Sequence, residues 1–194
     1  AIDECLHEPE DRLYCLGEPA DAVYTVRSGW VKLVRYLPDG SYRIVRIAGA
    51  GDVLGLEALL KQPYLHDAVV LQPAQVCRIP VDVLNRVGRE APALHQELMK
   101  RWHRALDEAD TWLTELSTGA ARRRVMRLLL QLADDSGRGK APLLSRKDMG
   151  AVLGVTTESA SRAVAELKRD GLLHEGGGAF RCARSALEKK VMAD

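Results

Sequence analysis

Residues 143–173 constrain the fold of this chain more than any other segment, because they carry two helix patterns separated by a very short turn. Ser145 is a good N-cap for a first helix, and Gly154 stands where that helix is expected to end with a positive φ. Thr156 can cap a second helix, which is expected to run to about Arg169. Two short helices at this spacing are typical of a helix-turn-helix.

The second predicted helix has a polar face and an apolar face. At about 100° per residue, one arc of roughly 140° contains Thr157, Glu158, Ser161 and Arg162. A different face, which can pack on the first helix, contains Ala160, Val164 and Leu167. Arg can bind guanine in bidentate fashion, Glu can accept a hydrogen bond from cytosine, and Ser or Thr can reach several base edges. We therefore predict that this helix reads bases in the major groove of double-stranded DNA. An ordinary helical hairpin with a solvated charged face is the alternative.

Charge is divided unevenly along the chain. Residues 1–116 hold 13 Lys and Arg against 18 Asp and Glu, a net charge of −5, whereas residues 117–194 hold 15 against 9, a net charge of +6. A basic segment beside an acidic one favours a nucleic-acid-binding domain attached to a sensing or oligomerising domain, with chance clustering as the alternative. Side chains expected to contact DNA phosphates are Arg146, Lys168 and Arg169.

The sequence also predicts where the protein is located. It contains no run of 18 apolar residues, so no membrane span is expected. No basic and apolar leader is visible, which predicts a cytoplasmic protein.

Residues 12–81 are expected to form an all-β domain. Short segments rich in β-branched and aromatic residues partly alternate, and turn signals such as Pro38-Asp39-Gly40 separate them. The predicted strands cover residues 23–26, 30–36, 42–47, 68–71 and 75–79. Many short strands at such spacing predict a sandwich or a jelly roll.

A short helix over residues 81–88 and a long helix over residues 93–116 are predicted to follow. Apolar residues of the long helix repeat at steps of 4, 3, 4, 3 and 4: Leu98, Trp102, Ala105, Ala109, Trp112 and Leu116. This a/d heptad seam predicts pairing with the same helix of a second subunit, and burial within one chain is the alternative. A neighbouring stripe, expected to pack on the β domain of its own chain, comprises Met99, Leu106 and Leu113.

The remaining C-terminal elements are a helix and a hairpin. A helix over residues 120–134 begins with Arg122, Arg123 and Arg124, which the helix dipole disfavours, so phosphate contact and a solvated face are both open explanations. Residues 172–174 and 179–181 flank a Gly-rich turn and predict a wing beside the second helix. The expected α+β chain therefore has three parts: a β-roll sensor domain (1–92), a dimerisation helix (93–117) and a winged helix-turn-helix (118–194).

The order of these elements, together with several motifs, resembles the CRP/FNR family of bacterial transcription regulators over nearly the whole chain. The matching stretches are Val23-Tyr-Thr-Val-Arg-Ser-Gly29, Gly51-Asp-Val-Leu-Gly55, Val76-Cys-Arg-Ile-Pro80, and Asp148-Met-Gly-Ala-Val-Leu-Gly154 followed by Glu158-Ser-Ala-Ser-Arg162. Glu158, Ser161 and Arg162 match the Glu-x-x-Ser-Arg of the FNR branch. The CRP branch has an additional Arg before the Glu and a Gly in place of the Ser.

This resemblance implies both a fold and a function. The expected fold is a cyclic-nucleotide-binding-like β jelly roll, a long dimerisation helix and a winged helix-turn-helix. The expected function is that of a homodimeric transcription regulator that reads an inverted repeat of half-sites like TTGAT, with RNA polymerase as a partner and an effector or redox signal acting at the β roll. A ligand-binding scaffold protein, whose basic C-terminal domain meets a protein partner, is the alternative.

The resemblance also locates a candidate effector pocket. Cyclic-nucleotide sensors of the family clamp the phosphate with an Arg-Ser pair, about eleven residues after a Gly-Glu. Here Gly55 is followed by Leu56, and the clamp positions hold His66 and Asp67, with Glu57 nearby in sequence. A carboxylate repels a phosphate, and neutral His is a poor substitute for a bidentate Arg. We therefore predict no tight binding of cyclic AMP.

Other cofactors stay open, although no residue pattern supports one. The FNR branch can hold an iron–sulfur cluster through three N-terminal Cys and one internal Cys. Cys77 stands at the internal position, but Cys5 and Cys15 do not reproduce the N-terminal spacing, and Cys182 lies in the predicted wing. Haem ligation through His66 or another His has no identified partner group. Because no metal-ligand spacing or nucleophile motif is present, no metal site is predicted and an enzyme is not expected.

Overall fold

The computed structural model describes residues 2–91, 93–133 and 139–193. Two compact units, Ala1–Ala109 and Asp110–Asp194, divide the chain. The elements up to the long helix are β1 (Asp3–His7), β2 (Arg12–Tyr14), β3 (Ala22–Tyr36), β4 (Tyr42–Ala48), β5 (Val53–Leu54), a 3₁₀ turn (Leu56–Leu60), β6 (Asp67–Pro80), α1 (Val81–Glu90) and α2 (Ala93–Thr111). The later elements are a π-helical segment (Trp112–Leu116), α3 (Ala121–Leu132), β7 (Lys140–Pro142), α4 (Arg146–Leu153), α5 (Thr157–Arg169), β8 (Leu173–Gly176), β9 (Ala179–Cys182) and α6 (Arg184–Ala193).

The N-terminal unit is built on one antiparallel sheet. Its strands follow the order β1-β6-β3-β4, and β2 and β5 add to β6 and β3. Strands β3 and β6 contain 15 and 14 residues, well above the five or six that are usual, so each covers two strands of the sequence prediction.

The two long strands bend where the sequence predicted breaks. The pairing register of β3 and β6 shifts between Val26 and Val31. A Cβ on Gly29 would lie 2.1 Å from the carbonyl oxygen of Pro73, so only Gly permits the strands to approach at this point. Gly29 and Pro73 therefore mark bulges within continuous strands and not turns between separate strands.

Three tyrosines occupy the core of this sheet. Tyr14, Tyr24 and Tyr64 are all buried, and the rings of Tyr14 and Tyr64 stack with their centroids 3.9 Å apart. Burial raises the pKa of Tyr64, so its hydroxyl stays protonated and donates to the carbonyl oxygen of Ala22 over 2.8 Å. The same cluster also contains Val26, Val31, Leu33, Leu54, Val70 and Val76.

The C-terminal unit packs four helices with a small sheet of order β7-β9-β8. Gly177 and Gly178 both have positive φ, 60° and 72°, and therefore form the two-residue turn that a tight hairpin needs. The predicted wing is thus present, with β7 as an additional strand that lies in a region without a strand prediction.

Helix α3 ends at Leu132, and Asp134 of the predicted helix lies outside the described residues. The fully buried side chains of the C-terminal unit include Met126, Leu128, Leu129, Leu144, Met149, Leu153, Leu167, Leu173, Phe180 and Leu187.

Candidate nucleic-acid interface

Helices α4 and α5 begin and end as the sequence predicts. The Ser145 hydroxyl accepts a hydrogen bond from the Asp148 N–H over 2.9 Å and donates to the Asp148 carboxylate over 2.8 Å. Gly154 ends α4 with φ 66°, and Thr156 accepts from the N–H of Ser159 over 3.2 Å at the start of α5. These caps satisfy backbone groups that the helix ends leave unpaired, and they fix the short turn between the helices.

Gly150 is a functional position that the sequence reasoning missed. A Cβ at Gly150 would lie 2.7 Å from the carbonyl oxygen of Val155, which is closer than side chains and backbone can pack. The Gly150 carbonyl in turn accepts from the N–H of Gly154 over 2.9 Å and of Val155 over 3.2 Å. The turn thus folds directly onto α4, and this approach requires a residue without a side chain. The sequence offered one signal for this close approach, a Gly four residues before the Gly154 cap.

Helix α5 presents the predicted polar face to solvent. Ala160, Val164 and Leu167 are buried, which anchors the opposite face in the unit. Thr157, Glu158 and Arg162 are exposed, and Ser161 is half-buried. The side chains proposed to read bases are therefore on the accessible side of a helix that its own core holds in place.

The charges on this face suit base recognition. The Glu158 carboxylate accepts a hydrogen bond from its own backbone N–H and another from Thr156. These bonds hold the pKa of Glu158 below its usual range, so the carboxylate is ionised at neutral pH. The Arg162 guanidinium donates only a long bond of 3.5 Å to the Ser159 hydroxyl. Arg162 can therefore exchange water for a base edge without breaking a strong internal hydrogen bond.

The wing carboxylate of Glu175 binds two of the three predicted phosphate contacts. One oxygen accepts from Arg146, the first residue of α4, and the other accepts from the Lys168 ammonium over 2.6 Å. The Arg146 guanidinium also lies 5.7 Å from the centroid of the buried Phe180 ring. The third predicted contact, Arg169, is exposed at the end of α5.

The arginines at the start of α3 bind the ends of other helices. Helix C-termini carry unpaired carbonyls and the negative end of the dipole, so guanidinium groups are favourable partners there. Their contacts with helix ends include Arg122 to the Asp170 carboxylate after α5, Arg123 to the Val191 carbonyl of α6 (3.0 Å), Arg124 to the Leu153 carbonyl of α4 (3.0 Å), and Arg127 to the Glu115 carbonyl of the π-helical segment (2.7 Å). Residues 122–124 therefore have an internal structural role that neither sequence explanation anticipated.

Helix α2 turns a different face to solvent from the one predicted. Glu108 forms an ion pair with Arg46 of β4 over 3.2 Å, and Arg101 donates to the Gly51 carbonyl, so this side of α2 faces its own β roll. Burial raises the pKa of Glu108, and the positive charge of Arg46 partly offsets this rise. Met99 and Leu106 are 64% and 56% exposed, so the prediction that they pack on the β domain is wrong.

The predicted seam is only partly accessible. Trp102 is 38% exposed and Ala109 is exposed, whereas Leu98, Ala105 and Trp112 are half-buried. Leu116 is 2% exposed, because the chain enters the π-helical segment at Trp112 and Leu116 packs in the core of the C-terminal unit. A π-helical turn contains more residues than an α-helical turn, so the heptad spacing does not continue through it. Leu116 therefore does not belong to an open seam.

Comparisons with known proteins agree with this arrangement. A family model described as a cyclic nucleotide-binding domain matches residues 6–90, and a model described as a Crp-like helix-turn-helix domain matches residues 123–189. The solved structure of FixK2 from Bradyrhizobium japonicum is 26% identical, with a TM-score of 0.84 over 97% of this chain and 96% of that one. The chain belongs to the CRP/FNR family of transcription regulators.

The curated CRP/FNR relatives are regulators and not enzymes, which confirms the prediction that this chain is not an enzyme. The transcriptional regulatory protein btr of Bordetella pertussis is 28% identical over 83% of this chain and 69% of that protein. The anaerobic regulatory protein of Pasteurella multocida is 28% identical over 85% of this chain and 63% of that protein. The chain thus spans roughly two thirds of the length of these relatives. The predicted fold class is confirmed as well.

The predicted effector positions of this CRP/FNR chain make contacts within the β roll. Asp67 is 5% exposed, and its carboxylate accepts a hydrogen bond from the N–H of Leu16 over 2.9 Å. The Glu57 carboxylate accepts a longer hydrogen bond, 3.4 Å, from the N–H of Leu65. Gly55 begins the 3₁₀ turn with φ 73°, and a Cβ there would lie 3.0 Å from the Tyr64 ring. The clamp positions therefore serve the packing of the roll.

His66 is the remaining member of this region. Its Nδ1 is buried and has no hydrogen-bond partner among the described residues. Burial lowers the pKa of His66, and Glu57 and Asp67 oppose this shift while Arg35 adds to it. The imidazole is therefore neutral at pH 7.

Cysteines and membrane segments complete the description of the CRP/FNR chain. Cys77 and Cys182 are buried, Cys5 is exposed, and burial raises the pKa of the Cys182 thiol to about 11. Within the described residues, no group of three His, Cys, Asp or Glu side chains has the geometry to bind a metal ion. The helices described here are all too short or too polar to cross a bilayer.

Proposed function

We propose that this CRP/FNR-family regulator binds DNA as a homodimer and reads an inverted repeat of half-sites like TTGAT. The observation that carries this proposal is the polar face of α5, with Glu158 and Arg162 exposed and Ser161 half-buried between them, while the other face of the helix is buried. Glu and Arg at this spacing can accept from cytosine and bind guanine within one half-site. A two-fold dimer places its two reading helices in successive major grooves, about 10 base pairs apart.

Phosphate contacts would position the reading helix. Arg146 stands at the N-terminus of α4, where backbone N–H groups and the dipole also favour an anion. Lys168 and Arg169 lie in the last turn of α5. Such contacts orient a protein on the duplex without selecting a sequence.

The dimer seam that we propose is rotated from the one first predicted. At about 100° per residue, Leu98 and Ala105 point within roughly 60° of Arg101, which faces the β roll, whereas Met99 and Leu106 point roughly 140–160° away from it. The exposed residues Met99, Trp102, Leu106 and Ala109 also follow steps of 3, 4 and 3. This second heptad register has an accessible apolar face that a copy of α2 can cover.

The three functional segments that we propose remain residues 1–92, 93–117 and 118–194. An effector or redox signal at the first segment would alter how the paired helices hold the two readers. Because the target is bacterial DNA, we place the protein in the cytoplasm, with RNA polymerase as the partner that the family resemblance implies. An absorbance spectrum of protein purified without oxygen would distinguish haem or an iron–sulfur cluster from a colourless effector.

Fluorescence anisotropy with two duplexes tests the proposal. One duplex carries two TTGAT half-sites as an inverted repeat, and the other has the same composition with both half-sites scrambled. We expect the repeat to bind at least about 10³-fold more tightly at physiological salt, as is usual for specific recognition. Equal affinity for the two duplexes would contradict base reading and favour the scaffold alternative, in which the basic unit meets a protein partner.

A further inference from the structure

Glu175 joins the wing to the two helices of the C-terminal unit that carry predicted DNA contacts, α4 and α5. It lies on β8 of the wing, directly opposite Phe180 of β9. Its two carboxylate oxygens bind Arg146 at the start of α4 and Lys168 near the end of α5. Both cations belong to the set proposed to bind DNA phosphates, so one internal carboxylate occupies two of the cationic groups proposed to bind the DNA backbone.

The geometry of these contacts resembles that of a bound phosphate. The Glu175 oxygens provide two acceptors to a guanidinium and an ammonium, as phosphate oxygens do. The three side chains are between 27% and 39% exposed, so solvent and DNA can reach the ion pairs. Both cations contribute to holding the pKa of Glu175 below its usual range, so the carboxylate is ionised at neutral pH.

We propose that Glu175 sets the affinity of this unit for DNA by competing with backbone phosphates for Arg146 and Lys168. The proposal rests on the function proposed above. A phosphate that binds these cations has to displace the carboxylate, which costs the free energy of the two ion pairs. Glu175 therefore weakens binding to every sequence equally, which leaves discrimination between sequences to the bases that α5 contacts.

Removal of the charge should strengthen binding without changing specificity. Each exposed ion pair contributes up to roughly a fivefold factor, so Glu175→Gln is expected to tighten binding by about three- to thirtyfold at low salt. The tightening should be the same for the TTGAT repeat and for the scrambled duplex. The slope of log affinity against log salt should steepen by about one to two, because the released cations can displace counterions from DNA.

A matched variant controls for the loss of one negative charge. Glu188→Gln removes a carboxylate of the same unit that also forms an ion pair, with Arg184 of α6 over 3.2 Å. We expect Glu188→Gln to leave the affinity within about twofold and the salt slope unchanged, since surface ion pairs contribute little. Thermal unfolding of each variant confirms that it is folded before DNA binding is measured.

A second background separates competition from simple repulsion between Glu175 and DNA. In an Arg146→Gln, Lys168→Gln protein, Glu175→Gln should no longer tighten binding, because the contested cations are absent. A gain in DNA affinity that persists in this background would overturn the proposal. So would a single Glu175→Gln protein whose affinity and salt slope are equal to or smaller than those of the wild type. A wild-type protein that does not prefer the TTGAT repeat would instead contradict the proposed function, while the comparison on the scrambled duplex would still test Glu175.

Discussion

Arg162 is the single side chain on which sequence discrimination should depend most. Because a bidentate Arg–guanine contact distinguishes one base pair, Arg162→Ala is expected to cost roughly 1–3 kcal/mol on the preferred duplex and to relax preference at one position. Competition titrations with duplexes that vary each base of the half-site measure this change. Unchanged discrimination would show that Arg162 does not read a base.

Gly150 should tolerate no side chain. Its missing Cβ would meet the Val155 carbonyl at 2.7 Å, so Gly150→Ala is expected to destabilise the C-terminal unit by about 1–3 kcal/mol, as overpacking does. Gly176→Ala is the matched control, because a Cβ there meets nothing within 4 Å and φ is not in the left-handed region. Urea unfolding of both variants measures the difference, and equal midpoints would refute the steric argument.

His66 should make stability depend on pH. Since burial lowers its pKa in the folded state, folding favours the neutral imidazole. This contribution is fully present above the ordinary pKa of 6.5 and is lost as pH falls below it through the folded value. The midpoint temperature of wild type should therefore drop more between pH 7 and pH 5 than that of His66→Gln.

His103→Gln provides the control for this measurement, because the His103 side chain is 77% exposed. A substitution at this exposed position controls for the effect of replacing any histidine by Gln. Parallel curves for wild type and His66→Gln would show that His66 does not titrate on acid unfolding.

At the level of elements, local patterns were sufficient for the helix-turn-helix. Ser145, Gly154 and Thr156 act on backbone groups within four residues of themselves, so their sequence positions alone indicate where α4 and α5 begin and end. The long strands and the role of Glu175 were not predictable in this way. They depend on Gly29 meeting Pro73 and on Glu175 meeting Arg146, contacts between segments that only the folded chain brings together.

The orientation of α2 shows why periodicity alone was ambiguous. Apolar residues at steps of 3 and 4 fit two registers equally well, one through Leu98 and Ala105 and the other through Met99 and Leu106. Two polar contacts with the β roll, through Arg101 and Glu108, decide between them. Charged residues of a long helix therefore carried the missing information about its orientation.

This orientation leads to a prediction about dimerisation. Leu106→Lys places a charge in the exposed apolar stripe of α2 and is expected to raise the dimer dissociation constant at least tenfold. Sedimentation equilibrium measures it, with Arg104→Gln, which changes one charge at an exposed position on the opposite side of the same helix, as the control. A Leu106→Lys protein that dimerises as tightly as wild type would exclude the rotated seam.

The whole molecule combines a cyclic-nucleotide-binding fold with a buried carboxylate at the predicted phosphate-clamp position. We expect isothermal titration calorimetry to detect no binding of cyclic AMP in the micromolar range, because Asp67 places a buried carboxylate at the phosphate-clamp position and bonds to its own backbone. A cyclic AMP-binding relative in the same buffer provides the positive control. Micromolar binding at this site would contradict the assignment of His66 and Asp67.

The arginines of α3 hold the other helices of the C-terminal unit in place. Arg123, Arg124 and Arg127 donate to backbone carbonyls of α6, α4 and the π-helical segment. Arg122 instead binds the carboxylate of Asp170 after α5, and its Nε lies 3.9 Å from the Glu166 carboxylate. A substitution in α3 can therefore displace the proposed reading helix, although α3 carries none of the side chains that we propose contact DNA.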